Sequence, residues 1–120
     1  MTRKRRRRAY RSGRWAETMA VWYLRLLGYR ILARDYRTPA GEIDIVARRG
    51  SALAMIEVKA RGTLRAAAEA VTPRQRRRIS RAAALFLSHY PALARLFVRY
   101  DVMLMRPWRP PVHIKDAWRD

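Results

Sequence analysis

The sequence predicts an α/β domain: a small mixed sheet of about five strands flanked by helices. Two stretches, residues 14–27 and 73–90, carry apolar residues at helical spacing. The segments between and after them alternate or run apolar over strand-like lengths, with turn residues at their ends. The resulting order is helix, three strands, helix, two strands. At 120 residues, half of them hydrophobic, the chain is long enough for one domain with a real core.

Residues 1–13 read as a basic, flexible arm ending at Gly13, and residues 14–120 as a single domain. In the first helix Ala16, Ala20, Tyr23, Leu24 and Leu27 share a stripe, and Gly28 is placed to stop it as a C′ residue. Glu17 lies on the apolar side with Ala20, Val21 and Leu24, where a carboxylate is costly without a partner. Tyr29 to Arg37 reads as the first strand and Thr38-Pro39-Ala40-Gly41 as a turn. The second strand, Glu42 to Arg48, is expected to put Ile43 and Ile45 on one face and Glu42 and Asp44 on the other. Arg49-Gly50-Ser51 turns the chain into a third strand, Leu53 to Lys59, whose apolar run suggests cover on both faces.

Residues 60–71 read as a mobile loop. Thr72-Pro73-Arg74-Gln75 has the form of a helix start, with Thr72 at N-cap, Pro73 at N1 and Gln75 at N3. That helix directs Ile79, Ala82, Ala83, Phe86 and Leu87 inward. Leu96 to Leu104 reads as a fourth strand. Pro107, Pro110 and Pro111 make an irregular link to a short edge strand near residues 112–114.

Charge narrows the partners. The chain has 28 Lys and Arg against 9 Asp and Glu, a net charge of +19. Such a field captures polyanions, and Arg grips phosphate through two parallel bonds. A nucleic acid is the expected partner, most simply DNA. A high-GC genome enriching Arg and Ala is the competing origin of the excess. The absence of cysteine excludes disulfides, thiolate nucleophiles and Cys-based zinc sites, and fits a reducing cytoplasm. No apolar run reaches the roughly 20 residues of a membrane span, and no apolar segment follows Arg3 to Arg8 as a secretory signal would require.

The chemistry concentrates in the strands. Glu57 and Lys59, two apart, share a face, and Asp44 lies on the strand expected to pair beside them. Two carboxylates forced together repel and lose hydration, and a divalent cation relieves both penalties. Mg²⁺ (or Mn²⁺) suits Asp44 and Glu57 as metal ligands, with the Val58 carbonyl as a further donor. It would acidify water and neutralise charge on a phosphodiester, while Lys59 orients water or stabilises the charged transition state. The alternative is a structural salt bridge, Glu57 with Lys59 or Asp44 with an Arg.

Gly41-Glu42-Ile43-Asp44-Ile45-Val46, followed by Met55-Ile56-Glu57-Val58-Lys59-Ala60-Arg61, resembles the YraN-like family of bacterial proteins. That family in turn resembles Holliday-junction resolvases of the PD-(D/E)XK nuclease superfamily. Gly13-Arg14-Trp15-Ala16-Glu17, Ala70-Val71-Thr72-Pro73-Arg74-Gln75 and Arg99-Tyr100-Asp101-Val102 extend the likeness over most of residues 13–118. The resemblance implies a restriction-endonuclease-like α/β/α fold and a metal-dependent endonuclease acting on DNA, branched DNA included, with a homodimer suited to a junction. It maps Asp44, Glu57 and Lys59 onto the catalytic triad and Glu17 onto a first-helix acid that joins it. An Arg-bonded helix acid is the alternative for Glu17. Arg14, Arg61, Gln75, Arg76 and Arg77 are the candidate nucleic-acid contacts. Gln75 stands where a Lys is expected, and a plain capping role competes for it; a solvated face competes for Arg76, Arg77 and Arg78. A non-catalytic nucleic-acid-binding protein on a retained nuclease fold is the second functional expectation.

The remaining features carry less. His89 and His113 are isolated and read as structural or surface residues. Trp15, Trp22, Trp108 and Trp118 could stack on bases, with core or edge packing expected for the first two. Asp101 is expected to pair with a nearby Arg.

Overall fold

The computed structural model describes residues 3–60, 65 and 71–119, with side chains from residue 14 onward. The elements run α1 (Arg3–Leu26), β1 (Arg30–Thr38), β2 (Gly41–Arg49), β3 (Ala52–Lys59), α2 (Pro73–His89), a 3₁₀ turn (Pro91–Arg95), β4 (Phe97–Leu104) and β5 (Val112–Trp118). Among the described residues five strands form one sheet in the order β1-β2-β3-β4-β5. Only β3 and β4 are parallel; the other neighbours are antiparallel. The crossover between β3 and β4 carries α2, as a parallel pair requires.

The helices cover opposite faces. Ala16, Ala20, Val21 and Leu24 of α1 bury against Ile45, Ala47, Ala54, Ile56 and Met103. Ile79, Ala82, Ala83 and Phe86 of α2 bury against Ile43, Val46, Leu53, Met55, Val102 and Leu104. The strand β3 therefore sends alternate residues into two cores, as its apolar run predicts.

Helix α1 ends as Gly28 predicts. Gly28 has φ +90°. Its N–H reaches the Arg25 carbonyl at 3.0 Å, and the Tyr29 N–H reaches the Leu24 carbonyl at 2.9 Å. This pair of bonds is the Schellman motif, and Leu24 and Tyr29 join the same core across it. The helix starts earlier than the sequence reading places it. It begins at Arg3, inside the stretch read as an arm, in keeping with the good helix propensity of Arg and Ala.

Three further differences bear on the site. Ile43 and Ile45 enter opposite cores rather than one, so side-chain alternation breaks at Asp44. The last strand extends to Trp118 rather than stopping near residue 114. Trp15 and Trp22 lie largely in solvent, whereas Trp118 is buried and stacks on Tyr100 at 5.5 Å. The expected mobile loop at 60–71 lies mostly outside the described residues.

Gly41, at the head of β2, has a steric role. A Cβ there would overlap the backbone carbonyl of Arg78 on α2. Because that obstacle is helix backbone, relief requires the helix or the strand to move. Gly41→Ala should destabilise the protein by about 1–3 kcal/mol through overpacking. Thermal unfolding should show a fall of several degrees in Tm; an unchanged Tm would mean that α2 moves without cost.

Candidate active site

The β2–β3 ladder runs from Arg49–Ala52 to Ile45–Ile56 and goes no further. Past that pair the Val58 N–H donates to the Asp44 carboxylate, Val58 N to Asp44 Oδ2 being 2.8 Å. A side chain thus replaces a ladder bond at the point where the two strands part. This is where Asp44 and Glu57 meet.

Glu57 is buried and Asp44 half-buried. Burial raises the carboxyl of Asp44 above its ordinary range, against the lowering effects of the Val58 N–H and the Lys59 charge. Burial, then the charge of Asp44, pushes Glu57 up to about 8, with Lys59 opposing. The two carboxyls lie close enough that each acts on the other's ionisation, so they titrate as a pair. Lys59 Nζ lies 3.4 Å from Glu57 Oε1. The same oxygen accepts from Gln75 Nε2 at 2.9 Å.

Gln75 shows how the start of α2 serves the site. Thr72 caps the helix and its side chain accepts from the Gln75 backbone N–H, with Pro73 following it. The cap uses the backbone of Gln75 and leaves its amide side chain for Glu57. The sequence presents a capping-box role and site contact as alternatives; the side chain makes the site contact, while Thr72 supplies the cap to its backbone N–H.

Glu17 lies half-buried on α1 and ion-pairs with Arg34, Nε to Oε1 being 3.6 Å. Arg34 is itself held by donating from Nη2 to Thr18 Oγ1 at 3.1 Å. Burial, followed by the charge of Asp44, raises the Glu17 carboxyl. Glu17 therefore feels the site while its bonded partner is an arginine. Among the described residues no three His, Cys, Asp or Glu side chains converge closely enough to hold an ion between them. Asp44 and Glu57 are the pair that the fold brings together.

The basic candidates divide. Arg76 is tied inward: its Nε donates to the Val71 carbonyl at 3.2 Å, and its guanidinium lies 5.6 Å from the Trp118 ring centre. Arg14 and Arg77 are exposed, and Arg61 lies outside the described residues. Glu42 is exposed on β2.

The expected pairing of Asp101 with an arginine is part of a larger buried cluster. Asp101, fully buried, accepts from Arg99 Nε at 2.9 Å and Arg99 Nη2 at 2.9 Å. His113 Nε2 lies 2.6 Å from its Oδ2, and the Asp116 N–H donates to its Oδ1 at 2.9 Å. Arg99 also donates to the Tyr29 hydroxyl at 2.7 Å. Although burial opposes ionisation, the bonds from His113 and Arg99 hold the Asp101 carboxyl below its ordinary range. The Arg-x-Asp spacing on one strand face signals the first pair. Nothing local signals His113, twelve residues away.

The mixed sheet between helices is a restriction-endonuclease-like α/β fold, and its strand-borne acids and lysine lie where β2 and β3 part. A profile described as "Uncharacterised protein family UPF0102" matches residues 16–105, and the chain belongs to that family, the YraN-like one that its motifs resemble. A UPF0102 protein of Parvibaculum lavamentivorans is 61% identical over 111 residues, covering 92% of this chain and 84% of the relative. Another from Chelativorans sp. is 52% identical over 113 residues, covering 94% and 91%. One from Caulobacter vibrioides is 48% identical over 110 residues, covering 92% and 88%.

A carboxyl raised in the folded state stabilises it below the unfolded value, here 4.5, and that contribution disappears as pH rises through about 8. In chelator, Tm should therefore fall across this window, and Glu57→Gln should flatten the fall. A parallel fall in the variant would place its origin elsewhere. Asp101→Ala leaves the half-buried Arg99 without its counter-charge and strips the Asp116 N–H of its acceptor, and should cost about 1–3 kcal/mol. A urea midpoint close to wild type would show that the cluster is dispensable.

Proposed function

We propose that this protein is a divalent-cation-dependent endonuclease that hydrolyses phosphodiesters of DNA, branched DNA included. The observation that carries the reading is the meeting of Asp44 and Glu57 where β2 and β3 part, with Lys59 3.4 Å from Glu57. The donor set fits a hard cation, since it offers carboxylate oxygens whose mutual repulsion a cation relieves. Asp44 and Glu57 would hold Mg²⁺ or Mn²⁺, which when bound supplies an acidified water and neutralises charge on the phosphodiester.

The chain's own residues supply the rest. The Val58 N–H fixes the Asp44 carboxylate. Gln75 and Lys59 both engage Oε1 of Glu57, which orients its other oxygen. The Lys59 ammonium is placed to stabilise negative charge beside the carboxylates. Glu17, fixed by Arg34, adds negative potential from α1. The net charge of +19 draws the polyanion in, with exposed Arg14 and Arg77 as contacts and Arg61 as a further candidate. A homodimer suits a symmetric branched substrate.

The second reading, a nucleic-acid-binding protein without cleavage, draws equal support from the charge. Nicking of plasmid, linear duplex, flap and four-way-junction DNA in Mn²⁺, Mg²⁺ or EDTA separates the two. Wild type should cut only with metal. Asp44→Ala and Lys59→Ala should each lose about 100-fold or more. Gln75→Ala should lose about 10- to 100-fold, as an orienting residue does. Undiminished binding in every variant, with no metal-dependent product on any substrate, would establish the binder instead.

A further inference from the structure

A groove of about 1130 Å³ opens on the α1 side of the sheet. Trp15 and Met19 of α1 form one wall, and Arg106 to Pro111, between β4 and β5, form the other. Its floor includes Ala60 and Met105. The Met105 N–H bonds to the Lys59 carbonyl at 2.8 Å, so the floor is joined to the strand that bears Glu57 and Lys59.

The groove has an unusual lining for a surface so charged. Trp15 and Met19 are each nearly half exposed, and Trp108 is fully exposed. Trp108 also has φ +60°, a left-handed backbone that a bulky side chain adopts only under strain. Pro107, Pro110 and Pro111 restrict the chain around it, so its indole stands in solvent on a stiff turn. Arg106 and Arg109 line the same groove, and the Arg106 Nε is buried without a hydrogen-bond partner. Aromatic faces beside arginines match a chain that exposes both bases and phosphates. A duplex hides its base faces. A second copy of this chain brings another +19.

We infer that this groove binds single-stranded nucleic acid, with an unpaired base stacked on Trp108 and its phosphates against Arg106 and Arg109. The strand then runs past the end of β3, so the substrate includes an unpaired segment beside the site. The inference rests on nucleic acid as the substrate of the proposed function, but not on cleavage.

The test is binding in EDTA, read as fluorescence anisotropy of a labelled oligothymidylate and of the same strand annealed into duplex. Trp108→Ala should weaken single-strand binding about tenfold or more, the loss of one base stack. Trp108→Phe should retain most of it. Neither should change duplex affinity or the salt slope, because no phosphate contact is removed. Equal losses on both forms, or none on the single strand, would overturn the inference. So would sedimentation showing that Trp108→Ala dissociates a dimer, which would make the groove a self-interface. Trp108-dependent binding by a protein that cuts nothing would support the groove while overturning the hydrolase.

Discussion

The hydrogen bond from the Val58 amide to the Asp44 carboxylate stands where the β2–β3 ladder ends. A ladder that continued would occupy that amide with backbone and hold the two strands at their usual spacing. Its end frees a backbone donor in the half-buried interior, and such a donor needs a partner. Asp is short enough to supply one from the neighbouring strand. The exchange breaks the alternation of β2, sending Ile43 to one core and Ile45 to the other. It also sets Asp44 against Glu57. The same device recurs at Asp101, whose carboxylate takes the Asp116 amide where the β4–β5 register shifts. In both places an aspartate mends a sheet irregularity and brings charge into the interior.

The basic excess is not simply a coat. Arg34, Arg76 and Arg99 are spent on Glu17, on the Val71 carbonyl with the Trp118 ring, and on Asp101 with Tyr29. Guanidinium suits these sites because it can bond in its plane and stack on its face. Asp44, Glu57 and Asp101, meanwhile, are drawn inward, which leaves the outer surface more one-sided than the composition suggests. A polyanion approaching this surface meets few acids except at the two-carboxylate site.

What the sequence reveals follows the range of the forces involved. Caps and stops are local, so Thr72, Pro73 and Gly28 were legible, as was the shared face of Glu57 and Lys59. The covered β3 strand was legible from its apolar run. The break at Asp44 was not, because period-two reasoning assumes an unbroken ladder. Gln75 could be read only as capping or reaching the site, since one letter does not show that backbone and side chain act separately. His113 meets Asp101 only after β5 folds beside β4, and no spacing rule anticipates a pair set by tertiary contact. The exposed Trp15 and Trp22 depart from expectation because α1 buries the stripe of Ala16, Ala20, Val21 and Leu24, and both tryptophans fall outside it.

The arrangement of charges argues against a purely structural role for the acid pair. Glu57 with Lys59 would by itself make a serviceable ion pair, and Gln75 satisfies it further. Burial, then the like charge that Asp44 adds, pushes Glu57 up to about 8, and burial raises Asp44 itself. The charge itself works against the folded state as pH rises, even as the carboxylate satisfies the Val58 amide, so ion-pair stability does not account for it. Binding does not account for it either, because carboxylates repel the phosphates that the rest of the surface attracts. Under the proposed function, a cation between acid pair and phosphate would turn both liabilities to use, relieving the repulsion of the carboxylates and reversing the sign of the local field. Asp44 thus has two consequences: it satisfies the Val58 amide where the ladder ends, and it sets a second carboxylate against Glu57.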